Sequence, residues 1–205
     1  MRLAEKTIEL NFCAEFAKAH PGPVFWFGLT QTQEAKAGFD AATRLGKRLL
    51  LFQVKASNHI VKGRRRFKAQ HHQMQALQKR IRGATRSVFY VLPNIGDTSE
   101  LGPKKRILDS TWLLDVATLK NPFPAPTIRK STKLRKSALH YIDIDPPKAI
   151  IHSEPVEAQL LSALTFASDR SLGADGVGWA FDGSFEQFQE VRTLMARGGF
   201  GLVID

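Results

Sequence analysis

The chain of 205 residues has only one cysteine, Cys13. A single cysteine excludes an internal disulfide and a metal cluster held by several thiolates. The longest apolar run, residues 49–52, is far too short to span a membrane, and residues 1–6 lack the apolar core of a signal peptide. These absences predict a cytoplasmic protein without contact to a membrane.

Acidic residues are missing from a long part of the chain. Residues 41–96 contain no Asp or Glu but 13 Lys and Arg, and the whole chain has a net charge of +11. Such a bias favours a polyanionic partner, above all nucleic acid. The alternative is a solvated basic face that only aids solubility.

Several common catalytic motifs are also absent. The six histidines form no His-Glu-x-x-His motif, and the chain has neither a Gly-x-Ser-x-Gly elbow nor a phosphate-binding P-loop. His140 with Asp143 or Glu154 is a candidate for a secondary site, but an ordinary hydrogen-bonded role for His140 is the simpler interpretation. The sequence therefore gives no sign of zinc-peptidase, serine-hydrolase or nucleotide-hydrolase chemistry.

Residues 38–57 contain the most informative pattern. Leu49 to Phe52 are apolar on both faces, which predicts a strand buried in the middle of a sheet. Gln53 and Lys55 end this strand, and a spacing of two places their side chains on the same face. Asp40 lies 13 residues before Gln53, about one hairpin earlier. We expect carboxylate, amide and ammonium groups to converge at one edge of the sheet.

The N-terminal segment, residues 4–19, predicts a helix that ends before Pro21. Phe12, Cys13 and Phe16 form its apolar stripe, and Glu9 lies within this stripe. A carboxylate there is costly unless it is paired or binds a cation. Glu9 at the edge of the packed face, reaching solvent, is an equally good interpretation, and Glu5 one turn earlier could share its role.

The remaining pattern predicts a single domain of the α/β class, a central mixed sheet flanked by helices, followed by an α+β elaboration. Residues 1–95 form the expected core and residues 100–205 the elaboration, whose role the sequence does not reveal. Strands are expected at 24–29, 38–44, 87–92 and 138–145, a basic loop at 58–66, a turn or strand edge at 31–36, a strand or short helix at 112–119, and helices at 67–82, 156–167 and 185–195.

The order of these elements, with Glu9, Asp40 and the Gln53-Val54-Lys55 triplet, resembles the PD-(D/E)XK or restriction-endonuclease-like superfamily. The resemblance covers residues 1–95. Phe39 replaces the proline of the family's name. Gln53 stands where most members have Glu or Asp, although Mrr-type restriction endonucleases are similar in carrying Gln. A role in restriction or genome defence is what this resemblance implies.

The resemblance assigns a role to each residue of the constellation. Asp40, the Gln53 amide oxygen, the Val54 carbonyl and Glu9 would hold Mg²⁺ or Mn²⁺, and Glu34 could assist. Lys55 would hold or deprotonate the attacking water and stabilise developing negative charge. The expected activity is metal-dependent hydrolysis of phosphodiester bonds in DNA, with double-stranded DNA as the expected substrate. Gln53 removes one negative charge, so a nucleic-acid-binding protein that keeps the fold without catalysis is the alternative.

Basic residues after the triplet are the expected contacts with phosphate groups, which give affinity without sequence information. The expected contacts are Arg64, Arg65, Arg66, Lys68, Lys79 and Arg82. The sequence leaves open whether the chain acts alone, as a homodimer or with a partner subunit.

Overall fold

The computed structural model describes residues 1–19, 24–29, 32, 34, 37–45, 48–81, 87–101, 106–119, 139–161 and 200–204. In these ranges the chain is a mixed α/β protein with two sheets and two α-helices. The helices are α1, Glu5–Ala19, and α2, His71–Ile81. The strands are β1 Val24–Gly28, β2 Ala41–Leu45, β3 Arg48–Val54, β4 Ile60–Val61, β5 Arg64–Gln70, β6 Val88–Pro93, β7 Thr111–Asp115, β8 Leu139–Asp145, β9 Lys148–Ile151, β10 Glu154–Glu157, β11 Gln159–Leu160 and β12 Phe200–Ile204.

The larger sheet has the strand order β11-β7-β6-β3-β2-β1-β12. Strands β1, β2 and β3 form an antiparallel meander, and β6 then pairs with β3 in parallel. A parallel pair requires a crossover, and the segment between β3 and β6 supplies it and includes α2. Strands β7, β11 and β12 extend the same sheet at its two edges. Residues beyond 100 thus contribute to the sheet that residues 24–93 begin.

Helix α1 packs on one face of the larger sheet through a stripe with one large apolar residue per turn. Ile8, Phe12 and Phe16 are fully buried there, because a spacing of four places them on the same side of the helix. The Phe12 ring lies 5.1 Å from the Phe52 ring of β3, between centroids, and the Phe16 ring lies 5.4 Å from Trp26. Burying each phenylalanine contributes about 1.5–3 kcal/mol. This packing fixes which helical residues face the end of β3.

The opposite face of the larger sheet is covered by α2 and by the second sheet. Met74 and Leu77 of α2 are fully buried in the same cluster as Leu51 of β3. The second sheet has the order β10-β9-β8-β5-β4, and its inward residues Phe67 and Ile142 belong to this cluster. The two sheets therefore share one hydrophobic core around α2.

Several predicted elements are confirmed. The structure contains α1, β1, β3, β6 and β8 close to their predicted limits, and residues 112–119 form most of β7 and a 3-10 turn, Val116–Thr118. Asp40 lies just before β2 rather than within it. No helix in the described ranges is long and apolar enough to cross a membrane.

The prediction for residues 58–82 is wrong at its beginning. The basic loop and the first turn of the predicted helix are instead the hairpin β4–β5, and α2 begins only at His71. Strand β5 buries Arg65, Phe67 and Ala69 on its inner face. An arginine at an inward position conceals the alternation of apolar and polar residues that identifies a strand.

Two further predictions are wrong where the structure describes them. Residues 156 and 157 belong to β10 and residues 159–160 form β11, so no helix begins at 156. Thr32 and Glu34 have helical backbone, where the sequence predicts a turn or strand edge. Residues 162–167 and the helix predicted for 185–195 lie outside the described residues.

Candidate functional site

The carboxylate of Asp40 meets the end of strand β3. The Asp40 N–H donates to the Phe52 carbonyl at 2.9 Å, which continues the pairing of β2 with β3. As a result, Asp40 Oδ2 accepts hydrogen bonds from Gln53 Nε2 at 2.6 Å and from the Val54 backbone nitrogen at 2.7 Å. The two segments therefore converge, as the hairpin spacing predicts.

Burial dominates the electrostatics of the Asp40 carboxyl. Loss of hydration raises its pKa to about 7, and the negative charge of Glu9 contributes to the rise. The positive charge of Lys55 and the hydrogen bonds from Val54 and Gln53 lower the pKa but offset only part of this effect. At neutral pH, the protonated and ionised forms of Asp40 are therefore both populated. A shifted pKa of this kind is common among residues of functional sites.

Lys55 lies next to this carboxylate, in the first position after β3. Its backbone N–H donates to the Val91 carbonyl at 3.0 Å, which continues the parallel ladder with β6. The side chain is buried, and its Nζ lies 3.8 Å from Glu5 Oε1 on α1. Glu5 Oε1 also accepts from the Ala56 nitrogen at 3.4 Å. The first turn of α1 is therefore docked against the end of β3 by a carboxylate.

Of the two positions expected for Glu9, inward or at an edge that reaches solvent, the structure shows the inward one. Its side chain is only 11% exposed, and its Oε1 accepts from Lys6 Nζ at 2.7 Å. The charge of Lys6 also acts on half-buried Glu34, although burial is the larger influence and raises the pKa of Glu34. Glu5, Glu9, Glu34 and Asp40 thus surround Lys6 and Lys55 with carboxylates from three parts of the chain. Lys6 is a member of this group that the sequence did not indicate.

The groups around Asp40 fit a hard cation such as Mg²⁺. Gln53 Oε1 is buried and has no hydrogen-bond partner, which is costly unless a water or an ion satisfies it. The amide nitrogen of Gln53 lies between Asp40 Oδ2 and, at 3.3 Å, the Val54 carbonyl oxygen. Half a turn of the amide exchanges its nitrogen and oxygen. Carboxylate, amide and carbonyl oxygens would then lie together, and these are the ligands that Mg²⁺ prefers.

A cation site of this kind differs from a cluster of acidic or histidine ligands. No three His, Cys, Asp or Glu side chains form a metal-binding group among the described residues. The proposed donor set includes an amide and a backbone carbonyl in addition to Asp40. Its smaller negative charge predicts a low affinity for the metal.

Comparison of the chain with protein-family models, with curated proteins and with solved structures finds no match.

Tyr90 is a residue of the site that the sequence did not indicate. It lies directly opposite Gln53 in the parallel pairing of β3 with β6, so the two side chains leave the sheet on the same face. Its hydroxyl is buried without a partner, and burial together with the charge of Asp40 raises its pKa. Tyr90 therefore stays protonated beside the Gln53 amide.

The expected phosphate contacts differ in their environments. Lys68 and Lys79 are exposed, and Arg64 is 40% exposed with an ion pair to Asp145 at 2.7 Å. Arg66 donates two hydrogen bonds of 2.6 Å to the Asp143 carboxylate. Arg82 lies outside the described residues. Arg64, Lys68 and Lys79 therefore remain the best placed for contact with a polyanion.

Arg65 does not fit the predicted role. Its side chain is 7% exposed and donates to the Ser57 carbonyl, to Asn94 Oδ1 and to Glu100 Oε2, at 2.7, 3.2 and 2.8 Å. These bonds connect β5 to the segments that follow β3 and β6. We therefore interpret Arg65 as a structural residue and leave it out of the proposed phosphate contacts.

Three histidines from distant parts of the chain form a hydrogen-bonded row. His71 Nδ1 lies 2.8 Å from His140 Nε2, and His140 Nδ1 lies 2.7 Å from His152 Nε2. His140 is fully buried. Its burial is the main cause that lowers its pKa to about 4, and the charges of His152 and His71 contribute less. The two ring nitrogens of His140 face different neighbours, so this geometry does not bring three ligands to one ion. The predicted hydrogen-bonded role of His140 is confirmed.

Proposed function

We propose that the chain is a metal-dependent endonuclease that hydrolyses phosphodiester bonds of DNA, with a restriction-endonuclease-like core. The observation that carries the proposal is the set of contacts at Asp40. A carboxylate with a raised pKa, a buried amide oxygen without a partner, a backbone carbonyl and a buried ammonium group lie at one end of β3.

The connection of the elements supports the same proposal. Helix α1 precedes three antiparallel strands, and a helix then leads to a strand that runs parallel to β3. Apart from the hairpin β4–β5, which lies between β3 and α2, this order agrees with the one expected for residues 1–95. Asp40 directly precedes β2 and Lys55 directly follows β3, and under this proposal they act as the metal ligand and the catalytic lysine.

Each residue of the site has a role that follows from its chemistry. A bound Mg²⁺ would neutralise charge on the phosphate and lower the pKa of a water. Asp40, Gln53 Oε1 and the Val54 carbonyl would hold the ion, and Glu9 would add negative charge from α1. Lys55, buried and held near Glu5, is suited to stabilise the negative charge that develops on the phosphoryl oxygens. The basic residues Arg64, Lys68 and Lys79 would hold the DNA backbone.

Cleavage of a supercoiled plasmid tests this proposal. We expect nicking by the wild-type protein with Mg²⁺ or Mn²⁺ and none with EDTA. Asp40→Asn and Lys55→Met should each reduce the rate about a hundredfold or more, while Lys18→Met, which changes an exposed lysine at the far end of α1, should leave it unchanged. Cleavage that survives the changes at both Asp40 and Lys55 would refute the assignment of the site.

A nucleic-acid-binding protein without catalysis is the second candidate, and one observation favours it. The Gln53 amide directs its nitrogen, not its oxygen, towards Asp40. Gln53→Glu separates the candidates, because a second carboxylate should strengthen cation binding. Under the endonuclease proposal, this variant should reach half-maximal nicking at a lower Mg²⁺ concentration than the wild type. DNA binding without nicking by both proteins in any divalent cation would favour the binding protein.

A further inference from the structure

A concave site, separate from the residues around Asp40, lies on the outer face of the second sheet. It is a pocket of about 460 Å³, within the range of small-molecule sites. Its lining comes from strands β4, β5, β8 and β9 and from the turns after β4 and β9. The lining residues are Val61, Lys62, Arg64, Arg66, Tyr141, Asp143, Ile150, His152 and Ser153. We call it the outer pocket; it shares no residue with the site around Asp40.

Tyr141 gives the outer pocket an accessible aromatic ring. The side chain is 43% exposed, and the Arg66 guanidinium lies 5.2 Å from the ring centroid. Arg66 is itself fixed by the two hydrogen bonds to Asp143. A supported ring costs little conformational entropy when a ligand binds, and planar bases stack on such rings whatever their sequence.

The charges around Tyr141 favour an anion. Lys62, Arg64 and Arg66 line the pocket, and Asp143 is the one acidic residue among the lining side chains of this described surface. Lys62 is exposed, and Arg64 uses one terminal nitrogen for Asp145, which leaves its other donors for a ligand. This arrangement suits a phosphate group beside the ring.

Two tight turns hold the sides of the pocket. Lys62 and Gly63 have φ of 50° and 78°, and His152 and Ser153 have φ of 51° and 67°. Positive φ at both central residues is the pattern of two-residue hairpin turns that match the twist of their strands. His152 is also bonded to His140. Both sides of the pocket are therefore formed by hairpin turns of the second sheet.

From these observations, we propose that the outer pocket binds a nucleotide, with its base stacked on Tyr141 and its phosphate held by Lys62 and Arg64. The ligand could be a free mononucleotide or an unpaired nucleotide of a strand, since both present a base and a phosphate. An acidic peptide would find the same cations, but it offers no planar base to stack on the exposed part of the Tyr141 ring.

Fluorescence anisotropy with a labelled single-stranded oligonucleotide, in EDTA to prevent cleavage, tests the proposal. Tyr141→Leu should weaken binding about fivefold to a hundredfold, the range expected for loss of one stacked base. Tyr141→Phe keeps the ring and should bind within about twofold of the wild type. Lys62→Ala should weaken binding, while Lys148→Ala, an exposed lysine of the same sheet outside the pocket, should not.

Competition identifies the source of the nucleotide. Displacement of the oligonucleotide by a deoxynucleoside monophosphate would indicate a free nucleotide, and its failure would indicate a strand. Equal affinity of the wild type and Tyr141→Leu, or displacement by an acidic peptide as effective as by the nucleotide probes, would overturn the proposal. The two proposals fail separately, because this binding is measured in EDTA without cleavage, whereas the endonuclease proposal fails if the wild-type protein does not nick a plasmid with Mg²⁺ or Mn²⁺.

Discussion

Gln53 determines how the site around Asp40 can act. As an amide it can donate to the Asp40 carboxylate, which it does at 2.6 Å, and it can present an oxygen to a cation. A glutamate at this position could not donate when ionised, and it would place a second negative charge beside a buried carboxylate. Gln53 therefore stabilises the metal-free site and weakens its affinity for metal.

Asp40 should make stability depend on pH when divalent cations are absent. Its pKa is about 7 in the folded protein and near 4 in the unfolded chain, so the folded state retains a proton that the unfolded state releases. The stability from this proton is complete below about pH 4 and is lost as the pH rises through 7. We expect the free energy of unfolding in EDTA, measured with urea, to fall between about pH 6.5 and 8.

The Asp40→Asn variant is the control for this measurement, because it keeps the size of the side chain and removes its titration. Its free energy of unfolding should change less over the same interval. The interval begins at about pH 6.5 because His140 has the opposite effect at lower pH. The same pH dependence in wild type and variant would show that Asp40 has an ordinary pKa.

At the scale of elements, Gly38 lies where the segment that carries Asp40 passes close to α2. Gly38 has a φ of +82°, and a Cβ there would lie 3.0 Å from both Ala76 Cβ and the Gln73 carbonyl oxygen. Gly38→Ala should therefore cost about 2–4 kcal/mol, from backbone strain and overpacking together. Urea unfolding measures this cost, and nicking activity should fall as Asp40 shifts.

Gly63 provides a matched comparison for Gly38. It has a similar φ of +78°, but a Cβ there would meet nothing within 4 Å. Gly63→Ala should cost only the strain, about 1 kcal/mol. Equal costs at the two glycines would show that the close approach of α2 contributes nothing.

His140 should make the packing of α2 against the second sheet sensitive to acid. Its pKa of about 4 in the folded protein lies below its ordinary 6.5, so the unfolded state binds the proton first. The stability from neutral His140 is present above about pH 6.5 and is lost as the pH falls through 4.

The variant His140→Gln should lose less stability than the wild type between about pH 6.5 and 4.5. The comparison between proteins cancels the opposite effect of Asp40 on stability. His72→Gln, at an exposed position of α2, is the control. Thermal unfolding at several pH values measures the difference. A wild-type pH profile in His140→Gln would contradict this explanation.

The elements that the sequence predicted are those with a local apolar signal. Helix α1 has large residues at a spacing of four, and β3 has an unbroken apolar run, so each could be assigned without knowing its neighbours. Strand β5 could not, because Arg65 occupies an inward position that only its partners Ser57, Asn94 and Glu100 make favourable. Asn94 and Glu100 are distant from Arg65 in sequence, and no local pattern indicates these contacts.

At the scale of the whole molecule, Arg65 connects the two sheets. From β5 of the second sheet, its side chain donates hydrogen bonds to Asn94, which follows β6, and to Ser57, which follows β3. Strands β3 and β6 belong to the larger sheet. Arg65→Ala would leave the buried Ser57 carbonyl without its partner and should cost about 2–3 kcal/mol. The neighbouring Arg64→Ala removes an exposed ion pair and should cost about 0–1 kcal/mol. Urea unfolding distinguishes them, and equal costs would contradict the structural role of Arg65.

The candidate site was predictable only in part, for reasons of the same kind. Asp40 and Gln53 are joined by a short hairpin, so their spacing was enough to bring them together. Tyr90 depends on the parallel pairing of β3 with β6, and the row of His71, His140 and His152 depends on how α2 meets the second sheet. Such contacts follow from the global topology, which no short stretch of sequence determines.

The central claim is that Asp40, Gln53 and Val54 hold the cation that an endonuclease needs. Anomalous X-ray scattering from crystals grown with Mn²⁺ tests it most directly, because it locates the ion itself. We expect a peak bonded to the Asp40 carboxylate, to Gln53 Oε1 and to the Val54 carbonyl oxygen, and we expect it to disappear in Asp40→Asn. Manganese bound elsewhere in the crystal with no peak at Asp40 would contradict the account.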